Sequence, residues 1–143
     1  MSAVGFTGTR AGLTAKQRVG LSVVLEHLRT SHSAFHHGDC IGADAEAAVI
    51  AQRLGYRIHV HPAEVAKGKR AFTPAVQYYP ILLPLQRNRN IVDACDVLVA
   101  CPRFTHEEQR SGTWATIRYA RKAGKHVLAV WPDGELEQER AKE

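Results

Sequence analysis

Three short polar turns containing glycine follow apolar stretches of the sequence: residues 7–10 (TGTR), 38–44 (GDCIGAD) and 110–113 (RSGT). Glycine lets a main chain approach a ligand closely, and the free N–H groups at a helix start favour an anion. If each turn follows a strand of one parallel sheet, all three lie at the sheet edge where ligands bind. Together they predict a shared phosphate site. Taken singly, each is also explained as an ordinary strand-to-helix turn or helix cap.

A further pair of candidates opens a later predicted helix, in the stretch 86–90 (QRNRN). Arginine pairs with phosphate, and asparagine can hydrogen-bond a base edge or a ribose; a solvated first helical turn explains the same residues. We expect Arg89 and Asn90 to lie near the same sheet edge. The predicted ligand-binding residues are therefore Thr7, Gly8, Thr9, Arg10, Gly38, Asp39, Gly42, Asp44, Arg89, Asn90, Ser111, Gly112 and Thr113.

The elements that must position these residues alternate along the chain. Short apolar runs predict five strands, at 3–7, 33–37, 56–61, 96–101 and 125–131, and helical patterns predict four helices, at 15–29, 43–54, 85–95 and 113–123. Thr14 and Gln17 have the spacing of a capping box, and Pro84 suits a first helical turn. The alternation predicts an α/β fold, a mainly parallel sheet of about five strands with helices on both faces.

Several kinds of site are disfavoured by the sequence. It contains no G-x-G-x-x-G dinucleotide fingerprint after the first strand and no P-loop, so a dinucleotide cofactor and an ATPase site are both poor interpretations. Neither a Ser/His/Asp nor a Cys/His nucleophile arrangement is evident. The chain has eight histidines, but His36, His37, His59 and His61 have no acidic or cysteine partner spaced for a complete metal site. We predict no metal and no cofactor, and expect His37 and His61 to line the ligand cleft.

Composition sets broader limits. The chain has 143 residues, 45% hydrophobic and 23% charged, which suits one domain over 1–134 followed by a charged tail over 135–143. Its net charge of +5 favours an anionic partner, although the basic residues are scattered. Three cysteines without CxxC spacing fit a reducing cytoplasm. No apolar run reaches the roughly 18 residues of a membrane span, and no secretory signal pattern opens the chain. We therefore expect a cytoplasmic protein with no membrane partner.

Four motifs in order resemble the SLOG superfamily, which joins the Smf/DprA DNA-processing proteins with the LOG cytokinin-activating enzymes, and in particular its small YspA-like branch. They are residues 5–10 (GFTGTR), 37–44 (HGDCIGAD), 89–90 (RN) and 111–113 (SGT). The resemblance spans nearly the whole chain, from about 4 to 130. It implies a Rossmann-like three-layer sandwich that binds a nucleotide or a related phosphorylated ligand, and it implies a homodimer.

The resemblance also implies two alternative functions. LOG enzymes cleave the N-glycosidic bond of nucleoside 5'-monophosphates and carry a glutamate three residues after their "GT" pair, where this chain has Thr116. Threonine cannot supply the carboxylate that an oxocarbenium-like state requires, so Asp39 or Asp44 would have to replace it. Smf/DprA proteins bind single-stranded DNA near the equivalent cleft. We therefore predict a nucleotide-binding sensor or regulatory module, with a LOG-like phosphoribohydrolase and a single-stranded nucleic-acid binder as alternatives.

Overall fold

Residues 3–139 are described by the structure, a computed structural model of the chain. They form one seven-stranded sheet and four helices. The strands are β1 (Ala3–Gly8), β2 (Ala34–His37), β3 (Arg57–Val60), β4 (Gln77–Tyr78), β5 (Val97–Cys101), β6 (His126–Val130) and β7 (Leu136–Glu139). The helices are α1 (Ala15–Leu28), α2 (Ala43–Arg53), α3 (Pro84–Ala94) and α4 (Gly112–Lys122). None of these helices has both the length and the apolar character that a membrane crossing requires.

The sheet runs in the order β4-β3-β2-β1-β5-β6-β7, with every neighbouring pair parallel except β6 and β7. The predicted α/β fold class is confirmed, but the sheet has two more strands than expected. β4 lies inside the segment predicted as a long loop and consists of two residues at one edge. A strand this short leaves almost no pattern in a sequence, which is why the prediction omitted it.

The other additional strand, β7, lies where a frayed charged tail was expected to begin. Its four residues, LEQE, pair antiparallel with β6, and Arg121 of α4 binds both carboxylate oxygens of Glu139 through Nε. Backbone pairing and this ion pair order a segment whose side chains carry no strand signal. Residues 140–143 of the predicted tail lie outside the described residues.

The two faces of the sheet carry separate hydrophobic cores. α1 and α2 pack on one face over Phe6, Phe35 and Val99, and α3 and α4 pack on the other over Leu98 and Ala100. The β5 side chains from Leu98 to Cys101 are therefore fully buried on both faces, which explains why this strand is a continuous apolar run. Burying one Leu- or Phe-sized side chain stabilises the fold by about 1.5–3 kcal/mol.

Local signals fix the start of α1 against the carboxyl end of the sheet. Thr14 accepts the Gln17 N–H, and the Gln17 side chain accepts the Thr14 N–H, so the predicted capping box forms. The buried Gln17 Nε2 also donates to the carbonyls of Pro102 and Val130, just beyond β5 and at the end of β6. The same cap therefore begins the helix and holds two strand ends together.

The entry to α2 depends on a glycine with a conformation closed to other residues. Gly42 is the N-cap, with φ 90° and ψ −128°, and a Cβ there would lie 2.3 Å from the carbonyl oxygen of Arg10. Gly55, after α2, also has φ +90°, but a Cβ there would meet nothing within 4 Å. The two glycines thus share a positive φ and differ in steric crowding.

We expect Gly42→Ala to lower the free energy of unfolding by about 2–4 kcal/mol, because backbone strain and a backbone clash act together. Gly55→Ala is the matched control, with a loss of about 1 kcal/mol from the positive φ alone. Urea denaturation followed by circular dichroism measures both. Equal losses in the two variants would show that the contact with Arg10 does not restrict this position.

Candidate ligand-binding site

A cleft of about 410 Å³ lies at the carboxyl ends of the central strands. It opens between β1 and β5. The connection from β1 runs to β2 on one side, and the connection from β5 runs to β6 on the other, so this is the topological switch point where ligands bind in open α/β sheets. Parts of all three predicted turns meet there. Its lining is Phe6, Thr7, Gly8, Thr9, Arg10, Gly38, Cys40, Asp44, Arg87, Asn88, Ile91, Arg103, Glu108, Arg110, Ser111, Gly112, Thr113 and Thr116.

The start of α4 forms one wall of the cleft. Ser111 is the N-cap, and its hydroxyl accepts the N–H of Trp114 at 3.3 Å. Helix geometry leaves the first-turn N–H groups of Gly112 and Thr113 without intrahelical acceptors. A Cβ at Gly112 would meet no atom within 4 Å, so this glycine faces open space. The wall therefore offers backbone donors and the positive end of a helix dipole to an anion.

Gly8 and Gly38, in contrast, are held by packing inside the protein. A Cβ at Gly8 would lie 2.5 Å from the Cβ of Ala43, and a Cβ at Gly38 would lie 2.4 Å from Nη1 of Arg87. Gly8 is therefore needed for the packing of β1 against α2, and Gly38 is needed for the observed position of the Arg87 guanidinium. Of the glycines that line the cleft, Gly112 is the one with open space where a side chain would be. A ligand can therefore approach the main chain at this position.

The floor of the cleft is built around Arg87, which is 6% exposed. Its Nη1 donates to the carbonyls of Gly38 at 2.6 Å and His61 at 3.2 Å, and its Nε donates to Oδ1 of Asn88 at 2.7 Å. Nη2 contacts only the weak acceptor Sγ of Cys40, at 3.9 Å, among the described side chains. The guanidinium is therefore fixed in place while one of its nitrogens keeps hydrogen-bonding capacity.

Asp44 lies on the other side of Gly38 and is 7% exposed. Its Oδ2 accepts the Cys40 N–H at 3.1 Å. Burial raises the pKa of this carboxyl to about 6, although the Cys40 N–H and the charge of Arg87 favour its ionised form. The cleft thus contains a carboxyl group that is costly to ionise, close to the positive charge of Arg87.

Other predicted site residues lie away from the cleft. Asp39 is fully buried, with φ 58°, and its carboxylate accepts hydrogen bonds from Arg70 Nε and the Thr73 N–H, both at 2.9 Å. It fixes the 63–84 segment against the second turn and does not line the cleft. Gly42, likewise absent from the lining, shapes the entry to α2.

Arg89 and Asn90, predicted as ligand-binding residues, are absent from the lining of the cleft. Arg87 and Asn88, the preceding RN pair of the same stretch, line it instead, while Arg89 stacks over the ring of Tyr119 at 5.4 Å on the α3–α4 surface. Two helical residues turn a side chain by about 200°, so Arg87 and Arg89 point to opposite sides of α3. The repeat RNRN does not indicate which of its two arginines faces the cleft.

His37 and His61 do not line the cleft either. His37 is fully buried against Phe35, and its Nδ1 accepts the Asp39 N–H at 3.0 Å. His36 Nδ1 and His61 Nε2 lie 2.8 Å apart in a hydrogen bond. Within residues 3–139, no group of His, Cys, Asp and Glu is arranged to hold a metal ion.

Sequence reasoning missed part of the cleft besides Arg87 and Asn88. The segment between β5 and α4 was interpreted as a polar loop, yet Arg103 and Glu108 line the cleft. Arg110, which belongs to the third predicted turn but not to the predicted binding residues, lines it as well. The available signal was position, because a loop after a central parallel strand lies at the ligand-binding edge. Its basic residues could have been grouped with those of the first turn on that ground.

No protein-family model matches the chain, and no curated protein sequence matches it. Solved structures do match. The structural-genomics target TM1055 has a TM-score of 0.66 and 16% identity, covering 89% of this chain and 72% of its own. A molybdenum cofactor binding protein from the phototrophic bacterium Rippkaea orientalis has a TM-score of 0.67 and 16% identity, covering 91% and 76%.

DNA processing protein A (DprA) from Streptococcus pneumoniae is a third match, with a TM-score of 0.63 and 17% identity over 90% of this chain and 50% of its own. This chain thus spans half of that protein. Likenesses at such low identity establish the fold alone. They confirm the fold that the SLOG resemblance implied.

The buried histidines make stability depend on pH. Burial lowers the pKa of His36 and His37 to about 4 and that of His61 to about 3, against an ordinary value of 6.5. Their contribution to the free energy of unfolding is complete above pH 6.5. It is lost as the pH falls towards 4, because the unfolded chain then binds more protons than the folded one. Asp44 acts in the opposite sense, since its raised pKa contributes stability that is lost as pH rises from about 4 to about 6.

On acidification the three histidines lower the stability and Asp44 alone raises it. We therefore expect the thermal unfolding midpoint to fall from pH 7.5 to 4.5. Calorimetry across this range measures it. His61→Gln keeps a hydrogen-bonding side chain beside His36 without the titration, and we expect it to reduce the slope. A midpoint that stays constant or rises on acidification would contradict this account.

Proposed function

We propose that this protein binds a nucleotide or a related phosphorylated ligand in the cleft, as a sensor or regulatory module. The observation that carries the proposal is the open start of α4, where Gly112 and Thr113 present unsatisfied N–H groups beside the Ser111 cap. A phosphate at a helix N-terminus satisfies those donors and the helix dipole together. The cleft volume of about 410 Å³ suits a ligand of mononucleotide size.

The charges around the cleft support an anionic ligand. Arg10, Arg103 and Arg110 stand at its exposed rim, and Arg87 lies at its floor. Asp44 and Glu108 are the carboxyl groups of the lining, so the arginines exceed the acids by two. Arginine also matches phosphate geometry with paired donors, which a solubilising surface charge does not need.

A binding role without turnover is favoured by Thr116. It lines the cleft and is 2% exposed, but its hydroxyl donates to the Gly112 carbonyl at 2.9 Å within α4. No carboxylate therefore stands at the place where LOG enzymes carry their glutamate. The enzymatic alternative requires another carboxylate, and of the two predicted substitutes only Asp44 faces the cleft.

We expect no measurable release of adenine from AMP, because loss of a carboxylate beside the anomeric carbon costs orders of magnitude in rate. Incubation with the purified protein followed by chromatography for free base checks this. Turnover near one per second that disappears in Asp44→Asn, with the fold retained, would establish the phosphoribohydrolase alternative in place of the sensor.

Single-stranded nucleic acid is a second candidate ligand, favoured by two exposed aromatic rings with arginine partners. Arg70 lies 4.5 Å from the ring centroid of Phe72, and Arg103 lies 5.0 Å from that of Phe104. Such pairs can stack with bases. A fluorescent oligothymidylate separates the two candidates: an affinity well above that of a mononucleotide, reduced by Phe104→Ala, would favour the nucleic acid.

We also propose a homodimer, supported by exposed apolar side chains before and at the start of α3. Ile81, Leu83 and Leu85 are 57–63% exposed. Leu83 is the N-cap of α3, a position that aspartate suits better than leucine, so Leu83→Asp places a charge on this surface without harming the helix. Light scattering would then give a dimer mass for the wild type and a monomer mass for the variant; a wild-type monomer would contradict the proposal.

The phosphate site itself is tested by Gly112→Val. Because a Cβ at this position meets no protein atom, we expect the fold to persist while the added methyl groups block a phosphate from the α4 N–H groups. Isothermal titration calorimetry with AMP should show at least a tenfold loss of affinity. Ala115→Val is the control, since it adds the same side chain on α4 outside the cleft lining. Equal affinity in the two variants would remove α4 from the binding site.

A further inference from the structure

The floor of the cleft places an acidic and a basic side chain side by side without an ion pair. A Cβ on Gly38 would lie 2.4 Å from Nη1 of Arg87 and 3.1 Å from Oδ2 of Asp44, so the two side chains flank this residue. Both are more than nine-tenths buried and both line the cleft. Across residues 3–139, the ion pairs involve other residues and do not join these two.

Both side chains keep hydrogen-bonding capacity on the cleft side. A carboxylate has about four acceptor sites, and Asp44 is stabilised by the backbone amides of Cys40 and Gly38. Nη2 of Arg87 has two N–H donors, with Cys40 Sγ as its one described contact. Buried charged groups left partly unsatisfied are costly, so a ligand that completes their hydrogen bonds gains affinity.

The chemistry of this pair restricts what binds there. A phosphate beside Asp44 would be repelled by the carboxylate, so the phosphate belongs at the α4 end of the cleft. A group that both donates to Asp44 and accepts from Arg87 satisfies the floor, and a hydroxyl does both. In a sugar phosphate, hydroxyls lie a few bonds from the phosphate.

We propose, on the basis of the proposed function, that Asp44 accepts a hydrogen bond from a ring hydroxyl of the ligand's sugar while Arg87 donates to the same hydroxyl or its neighbour. The ligand class is thus a ribose phosphate ester with its vicinal diol intact. Burial, which raises the pKa of Asp44 to about 6, gives the carboxylate a further reason to bind a donor. The sensor would distinguish ribose esters from 2-deoxyribose esters through this one side chain.

The test compares ribose 5-phosphate, 2-deoxyribose 5-phosphate and inorganic phosphate by isothermal titration calorimetry. We expect the wild type to prefer the ribose ester about tenfold or more, because a site built to hydrogen-bond a hydroxyl rejects the analogue that lacks it. Asp44→Asn can still accept the Cys40 N–H, and it should lose that preference by weakening the ribose ester alone. Asp93→Asn, which removes one charge from α3 outside the cleft lining, should retain the preference.

The outcomes separate this inference from the proposed function. Equal wild-type affinity for the two sugar phosphates, or a preference that survives in Asp44→Asn, overturns the role of Asp44 and leaves the phosphate site intact. Failure of the wild type to bind either ester or inorganic phosphate overturns the proposed function and this inference with it. The wild-type comparison needs no variant, so equal affinities would overturn the inference even if Asp44→Asn does not fold.

Discussion

The arrangement of the cleft depends on the burial of Arg87. From α3, on one face of the sheet, its guanidinium donates to the carbonyls of Gly38 and His61, which follow the ends of β2 and β3. The contact requires glycine at position 38, because any Cβ there would overlap Nη1. One charged side chain therefore links two strand ends to a helix and lines the cleft between them. Within residues 3–139, Arg87 donates to these carbonyls and forms no ion pair with Asp44, so the Asp44 carboxyl keeps acceptor capacity on the cleft side.

The glycines of the site serve two different purposes. Gly8 and Gly38 allow parts of the protein to pack closely, and Gly42 supplies a backbone conformation at the start of α2. Gly112 alone of these faces open space at a helix start. The cleft is thus assembled from packing glycines that bring the turns together and one glycine that leaves the start of α4 accessible.

The fold of this chain does not by itself determine which ligand it binds. The solved structures with this fold include a molybdenum cofactor binding protein and a DNA processing protein, so the sheet and helices do not select one ligand. Side chains at the switch point must make that selection. In this chain they are rim arginines, an accessible α4 start and the Arg87–Asp44 floor. The proposed ligand, with an anionic end and a hydroxyl-bearing part, matches these groups.

The sequence by itself determined what depends on local pattern. Apolar runs at β1 and β5, the capping box at Thr14 and Pro84 at the start of α3 specify the elements, because strand burial, helix capping and proline geometry act over a few residues. From their alternation followed the parallel sheet and the edge at which the glycine turns meet. These predictions needed no long-range information.

Tertiary structure alone decided which side chains reach the cleft. Asp39 and Asp44 lie five residues apart in one motif, yet Arg70 and Thr73 engage the first while the second lines the cleft. Arg87 was chosen over Arg89 by the rotation of α3 against the sheet, and β4 and β7 exist because neighbouring strands offer them partners. The physical reason is common to all of these: side-chain direction and edge pairing depend on contacts between residues distant in the chain, which a local pattern does not record.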